Sequence, residues 1–141
     1  MARNDAFLNH LAEVPLFSAL SRKDLALIAR RAEDVRVDPG KVLINEGSTG
    51  SEFFVIVEGT ARVSRRGRRI AMLGPGAAFG ELALLDKAPR NATVTAETSM
   101  ELVVLGQREF GGIIDEVPGF ARKLLAGMAR RLRDSDAHSV Q

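Results

Sequence analysis

The sequence predicts a mainly β fold with helices at both ends. Two observations carry this. Between Val35 and Leu105, short apolar runs are separated by turn residues, among them Asp38-Pro39-Gly40, Asn45-Glu46-Gly47 and Gly59. Before and after that region, apolar residues recur three and four apart, the spacing of a helix face. Seven or eight short strands at this spacing argue for a sandwich or a barrel.

In chain order, residues 5 to about 13 read as a short helix with Phe7, Leu8 and Leu11 on one side. Val14-Pro15-Leu16-Phe17 follows as an apolar turn expected to pack on the β part. Ser21-Arg22-Lys23-Asp24 has the form of a capping box, in which two side chains satisfy each other's backbone N–H groups at a helix start. It opens a helix to about Arg31, with Leu25, Ile28, Ala29 and Ala32 as the apolar stripe. Strands are expected at residues 35–37, 41–44, 52–57, 60–65, 70–73, 92–96 and 101–105. The third is apolar on both faces, which suits a central position. Arg65-Arg66-Gly67-Arg68-Arg69 is a charged hairpin tip. Two helices close the chain, one from residue 108 to about 116. The other is opened by Pro118 and runs to about Ser135. Phe120, Leu124, Leu125, Met128 and Leu132 form its apolar face. Gly127 lies inside this helix, where it costs about 1 kcal/mol relative to Ala. That suits a close approach by a neighbouring element. The polar tail from Asp136 to Gln141 is expected to fray.

The chemistry concentrates in residues 79–94, Phe79-Gly80-Glu81-Leu82-Ala83-Leu84-Leu85-Asp86-Lys87-Ala88-Pro89-Arg90-Asn91-Ala92-Thr93-Val94. Gly74-Pro75-Gly76 turns the chain ahead of it. Gly80 permits a backbone geometry or a close approach that a side chain would block. Glu81 to Leu85 are good helix formers, enough for one or two turns. The first N–H groups of such a helix lack internal partners and suit an anion. Arg90 follows the stiff Pro89, and its guanidinium can hold two phosphate oxygens at once. Glu81, ionised, only accepts hydrogen bonds, so it suits a sugar hydroxyl. An anion site, a hydroxyl site and apolar neighbours together describe a sugar phosphate of single negative charge.

This stretch resembles the phosphate-binding cassette of the cyclic-nucleotide-binding domain family, which includes catabolite-activator-type regulators, kinase regulatory subunits and gated channels. The family pattern, Phe-Gly-Glu-(apolar)-Ala-Leu and then an Arg, an Ala and a Val after a short loop, is met by Phe79 to Leu84, Arg90, Ala92 and Val94. Pro15 to Ser21 is similar to the lead-in of such domains. The resemblance implies a jelly-roll-like β-roll of about eight strands, with N-terminal helices and two C-terminal helices. It implies one domain over 1–141, with helices at 1–33 and 107–135 around a β-roll at 34–106. It also implies Arg90 on the cyclic phosphate, Glu81 on the ribose 2′-hydroxyl, and the Leu82 and Ala83 N–H groups assisting. Phe79, Gly80, Asn91 and Ala92 complete the ligand set, and Val63, Leu73, Val94 and Ala96 are candidates for the pocket wall. Asn91 departs from the family, where Thr after the phosphate Arg goes with cGMP and Ala or Ser with cAMP. cAMP is the expected ligand, with cGMP as the alternative. In relatives the last helix caps the base, and the similar segment Met128–Arg133 makes Arg131 the candidate here, with Ser135 second. Both also suit a solvated basic face. Phe110 is either a hinge contact that follows the cassette or a core residue.

Other function classes find little footing. The formal net charge of +2 is too small to imply nucleic acid, although the pI is near 9.5. The arginines around Gly67 have no interleaved aromatics and read as a solvated tip. There is no Cys, so a disulfide framework or thiol nucleophile is excluded. His10 and His138 lie outside the β part, which leaves no metal set of the cupin kind. No long apolar run or signal segment is present, so the expectation is a cytoplasmic sensor, not an enzyme and without a membrane span. Its expected outputs are a downstream protein or a fused effector, with a homodimer through the last helix as an option. The alternatives are the sensor half of a longer regulator, channel or enzyme, or a β-roll that binds no nucleotide. No helix-turn-helix follows, so direct DNA binding is not expected.

Overall fold

The computed structural model describes residues 5–139, with side chains through Asp134. Helix α1 (Asp5–Ala12), a 3₁₀ turn (Pro15–Phe17) and α2 (Arg22–Arg31) precede the strands, and α3 (Gln107–Glu116) and α4 (Phe120–Ser139) follow them. The strands are β1 (Glu33–Val37), β2 (Val42–Ile44), β3 (Glu52–Glu58), β4 (Ala61–Arg65), β5 (Arg68–Leu73), β6 (Ala78–Phe79), β7 (Thr93–Ala96) and β8 (Met100–Gly106). The chain divides into two compact units. One comprises the segments up to Arg31 and from Phe110 onward, the other Ala32–Glu109.

The β unit holds two antiparallel four-stranded sheets, ordered β1-β8-β3-β6 and β2-β7-β4-β5. Alternation along each strand turns one set of side chains between the sheets. Phe54, Ile56, Leu102 and Val104 from the first meet Ile44, Ala61, Val94 and Ala96 from the second. The residues between them on β3 and β8, Phe53, Val55, Val103 and Leu105, are buried as well. This is why β3 reads as apolar throughout, and it is an interior strand. The jelly-roll-like expectation therefore holds at eight strands. The eighth, β6, has only two residues and leaves no periodic signal. It pairs Phe79 with Phe54 across β3, and their rings stack at 5.0 Å.

In the helical unit the capping box forms as read. Asp24 Oδ2 accepts from the Ser21 N–H at 3.0 Å, and Ser21 Oγ accepts from the Asp24 N–H at 3.1 Å. Asp24 also accepts from Lys123 Nζ of α4 at 2.8 Å. Burial alone would raise this carboxyl, but the bonds from Lys123 and Ser21 outweigh it and hold it below its ordinary 3.8. Phe110 packs between Phe17 and Phe120, with ring centroids 6.0 and 5.8 Å away. Gly127 lies against the carbonyls of Pro15 and Leu16, where a Cβ would come within 2.9 and 2.6 Å. The apolar turn at Pro15–Phe17 thus supplies the close neighbour that Gly127 implied.

Pro118 does not open α4, which corrects the sequence reading. Gly119 adopts φ +82°, a left-handed conformation that a helix cannot contain. The Phe120 N–H donates to the Val117 carbonyl at 3.2 Å, so Pro118-Gly119 forms the middle of a β-turn and the helix starts at Phe120. The apolar face of α4 also divides. Phe120 and Leu124 are buried, whereas Leu125 and Leu132 are each 65% exposed.

Candidate functional site

The cassette begins where β6 ends. Gly80 has φ +84° and would bring a Cβ within 2.8 Å of the Arg90 Nη1 and 2.9 Å of the Glu52 carbonyl oxygen. It is glycine for both reasons, conformation and space. Glu81–Leu84 then forms a single 3₁₀ turn rather than a longer α-helix. The Leu85 and Asp86 N–H groups both return to the Leu82 carbonyl at 3.0 Å, which closes the turn before the extended approach to Pro89. The Ala83 N–H donates to the Gly80 carbonyl at 3.1 Å. The Leu82 N–H stands at the start of the turn, ahead of its first internal hydrogen bond. Glu81 is half-buried, and Leu82 is exposed. Ala83 and Leu84 are buried and root the turn.

Arg90 is held on every side by residues distant in sequence. Its N–H donates to the Ser48 carbonyl at 2.7 Å, and its own carbonyl accepts from the Gly47 N–H at 2.8 Å. A bridge between Thr49 and Pro89 continues the pairing. The guanidinium Nη2 donates to the Glu52 carbonyl at 2.8 Å. The rest of the group lies between Gly80 and Gly50, and a Cβ on Gly50 would overlap its Nε, Nη2 and Cζ atoms. Burial lowers the pKa of this guanidinium, and the Glu52 carboxylate opposes the shift in part. It stays cationic at neutral pH, as arginine does. Among the described residues no carboxylate forms an ion pair with it. A partly desolvated cation whose hydrogen bond runs to a neutral carbonyl is set up to receive an anion.

Phe79, Gly80, Glu81, Leu82, Ala83, Arg90, Asn91 and Ala92 all lie in the β unit, where Gly80 meets the Arg90 guanidinium. Asn91 is exposed, and its carbonyl accepts from Arg65 Nε of the hairpin tip at 2.8 Å. Ala92, Val94 and Ala96 are buried, the last two in the core between the sheets. Val63, Leu73 and Phe79 are half-buried against that core. Arg131 belongs to the helical unit, on the exposed side of α4. There it lines a cavity of about 420 Å³ with Glu13, Ser18, Gly127 and Asp134. Ser135 and His138 lie beyond the described side chains. Sequence reasoning missed Gly50 and Glu52. The only signal was a second glycine three residues after Gly47, at the start of a strand. Among the described residues no group of His, Cys, Asp or Glu could hold a metal ion, and no helix is long and apolar enough to cross a membrane.

Comparison with known proteins bears on this geometry. The family model described as the cyclic nucleotide-binding domain matches residues 34–117. A cAMP-dependent protein kinase regulatory subunit from Hypocrea atroviridis is 34% identical over 86% of this chain, which spans 26% of that protein. The cyclic AMP receptor protein of Thermus thermophilus is 32% identical, also over 86% of this chain, which spans 59% of it. The chain thus corresponds to part of these longer proteins. The N-terminal domain of a transcriptional regulator from Streptomyces coelicolor A3(2) superposes with a TM-score of 0.82 at 32% identity. That match covers 92% of this chain and 94% of the other.

Proposed function

The chain belongs to the cyclic nucleotide-binding domain family, and from that premise we propose that it binds a cyclic nucleotide, cAMP ahead of cGMP, and works as an allosteric sensor rather than an enzyme. One observation carries the reading above the others. The Arg90 guanidinium is cationic and partly desolvated, lies between two glycines, and sits beside the open start of a 3₁₀ turn. Such a site favours a singly charged, compact anion held by a planar fork of donors. In this reading Arg90 takes the cyclic phosphate, with the Leu82 and Ala83 N–H groups assisting. Glu81 takes the ribose 2′-hydroxyl. Phe79, Gly80, Ala83 and Ala92 shape the floor and wall, and Asn91 lies next to the phosphate arginine, where it bears on the choice between the two nucleotides.

The preference for cAMP draws support from the two relatives named for cAMP. The domain would act as one module over 1–141, with the cassette at 79–94. The output would run through the C-terminal helices, by tighter binding of nucleotide to one of two arrangements of them. Arg131 on α4 is the residue proposed to meet the base. The exposed Leu125 and Leu132 of the same helix give a downstream protein, a fused effector or a second copy apolar surface to engage.

Titration calorimetry with cAMP and with cGMP, on wild type and Arg90→Ala, tests the proposal. Wild type should bind cAMP. Loss of the guanidinium should cost about 3–4 kcal/mol, several hundred-fold in Kd, since a charge-assisted anion contact is left unmade. Absence of heat and of thermal shift with either nucleotide would reduce the protein to a β-roll that only mediates contacts.

A further inference from the structure

We propose that Gly50 is a positioning residue of the phosphate site, its missing side chain being the space in which the Arg90 guanidinium lies. The inference rests on the nucleotide-binding reading above and adds to it a residue outside the cassette, forty positions earlier in the chain.

The argument starts from why this residue is glycine. Its backbone does not require it, because Gly50 is not among the glycines in the left-handed region. The three nearest atoms to a Cβ built there are all from one side chain, the Nε, Nη2 and Cζ of Arg90. The backbone on both sides is fixed. Gly47 and Ser48 pair with the Arg90 peptide groups, and the Ser51 carbonyl accepts from the Gln107 N–H at 2.7 Å. With both main chains held, a methyl group at position 50 can be accommodated only by moving the guanidinium. The guanidinium cannot retreat toward Gly80, whose own Cα is already its other wall. It must leave the Glu52 carbonyl and swing outward, away from where the phosphate is to be met. Because the displaced group is the free end of a long side chain, the fold loses little. The site loses its preorganisation, and a bidentate contact tolerates little misplacement.

The test is Gly50→Ala, with Gly74→Ala as a control. Gly74 has nothing within 4 Å of its Cβ position and an ordinary φ. Two readouts are taken on the full chain. The first is the ¹⁵N–¹H cross-peak of the Arg90 Nε–H group, assigned by its loss in Arg90→Ala and followed without ligand. The second is cAMP affinity by calorimetry. Gly50→Ala should shift the Arg90 cross-peak toward the position of solvent-exposed arginines, weaken cAMP at least tenfold, and leave the thermal midpoint near wild type. Gly74→Ala should change none of these. A cross-peak unmoved in Gly50→Ala overturns the positioning role, and so does an affinity equal to wild type. If wild type itself binds no cyclic nucleotide, the functional reading fails, while the cross-peak still decides whether Gly50 places the guanidinium.

Discussion

Replacing Gly127 by Ala in α4 sets two effects of opposite sign against each other. By intrinsic preference, Ala in a helix interior is favoured over Gly by about 0.8–1.0 kcal/mol. The surroundings oppose it. A Cβ at position 127 would lie 2.6 Å from the Leu16 carbonyl oxygen, about 0.8 Å short of the 3.4 Å at which ordinary contact begins, and 2.9 Å from that of Pro15. Neither atom can turn aside. Both belong to the backbone of a 3₁₀ turn held by the Phe17 N–H on the Val14 carbonyl at 2.8 Å and the Ser18 N–H on that of Pro15 at 3.2 Å. The helix must therefore draw back, and it carries buried Phe120 and Leu124 with it. Overpacking of this kind costs about 1–3 kcal/mol, so the balance after the helix gain runs from about zero to a loss of about 2 kcal/mol. At the upper end that lowers the midpoint of a chain of this size by roughly 6–8 °C. The partner experiment is Gly111→Ala in α3, where nothing lies within 4 Å of the added carbon. There the propensity gain stands alone, and stability should rise by about 0.5–1 kcal/mol. Thermal and urea melts of both variants give the comparison. If Gly127→Ala is as stable as Gly111→Ala, or more stable than wild type, the contact between α4 and the Pro15–Phe17 turn has been read wrongly.

Other perturbations separate the remaining parts. Gly80→Ala meets backbone as well as Arg90 and needs a left-handed φ, so it should cost about 1–2 kcal/mol of stability on top of lost cAMP binding. Gly50→Ala, by contrast, should lose binding alone, and melts with calorimetry on both variants check the difference. Asp24→Asn removes the charge that faces Lys123 and should cost about 1–2 kcal/mol near neutral pH in a urea melt. The Asp24 carboxyl titrates below its ordinary 3.8 in the folded chain, so its stabilising contribution is complete above that value and is lost as pH falls through the lower, folded pKa. The gap between wild type and Asp24→Asn should accordingly close in melts below pH 3.8. A gap that stays constant down to pH 2 would show that the charge contributes nothing.

What was legible in the sequence was whatever a short stretch decides for itself. Ser21 and Asp24 satisfy each other's backbone groups within one turn, so the start of α2 follows from four letters. The change from a period of three or four to short runs between turn residues marks the β part, because strand alternation and helix faces are local geometry. The cassette is contiguous, so Gly80, Glu81 and Arg90 could be picked out together. Pro118 misled because Pro suits both the first turn of a helix and the second place of a β-turn. Gly119, with its positive φ, made it the latter. The two-residue β6 could not be seen at all, since its pairing partner, β3, lies more than twenty residues away.

Only the tertiary structure decided which surfaces meet. Leu125 and Leu132 share a helix with Phe120 and Leu124 and look equivalent by periodicity. Burial divides them, because a stripe two residues wide can turn only part of itself to a neighbour. Gly111 and Gly127 are both mid-helix glycines, yet one faces open space and the other two carbonyls. Arg90 could be named from its motif. What holds its guanidinium, the Glu52 carbonyl and the empty side of Gly50, comes from a loop and strand far back in the chain. The sequence by itself determined local hydrogen bonding and the identity of the cation. The packing of distant segments determined where that cation points, because the space around a side chain belongs to its neighbours and is written nowhere in its own stretch.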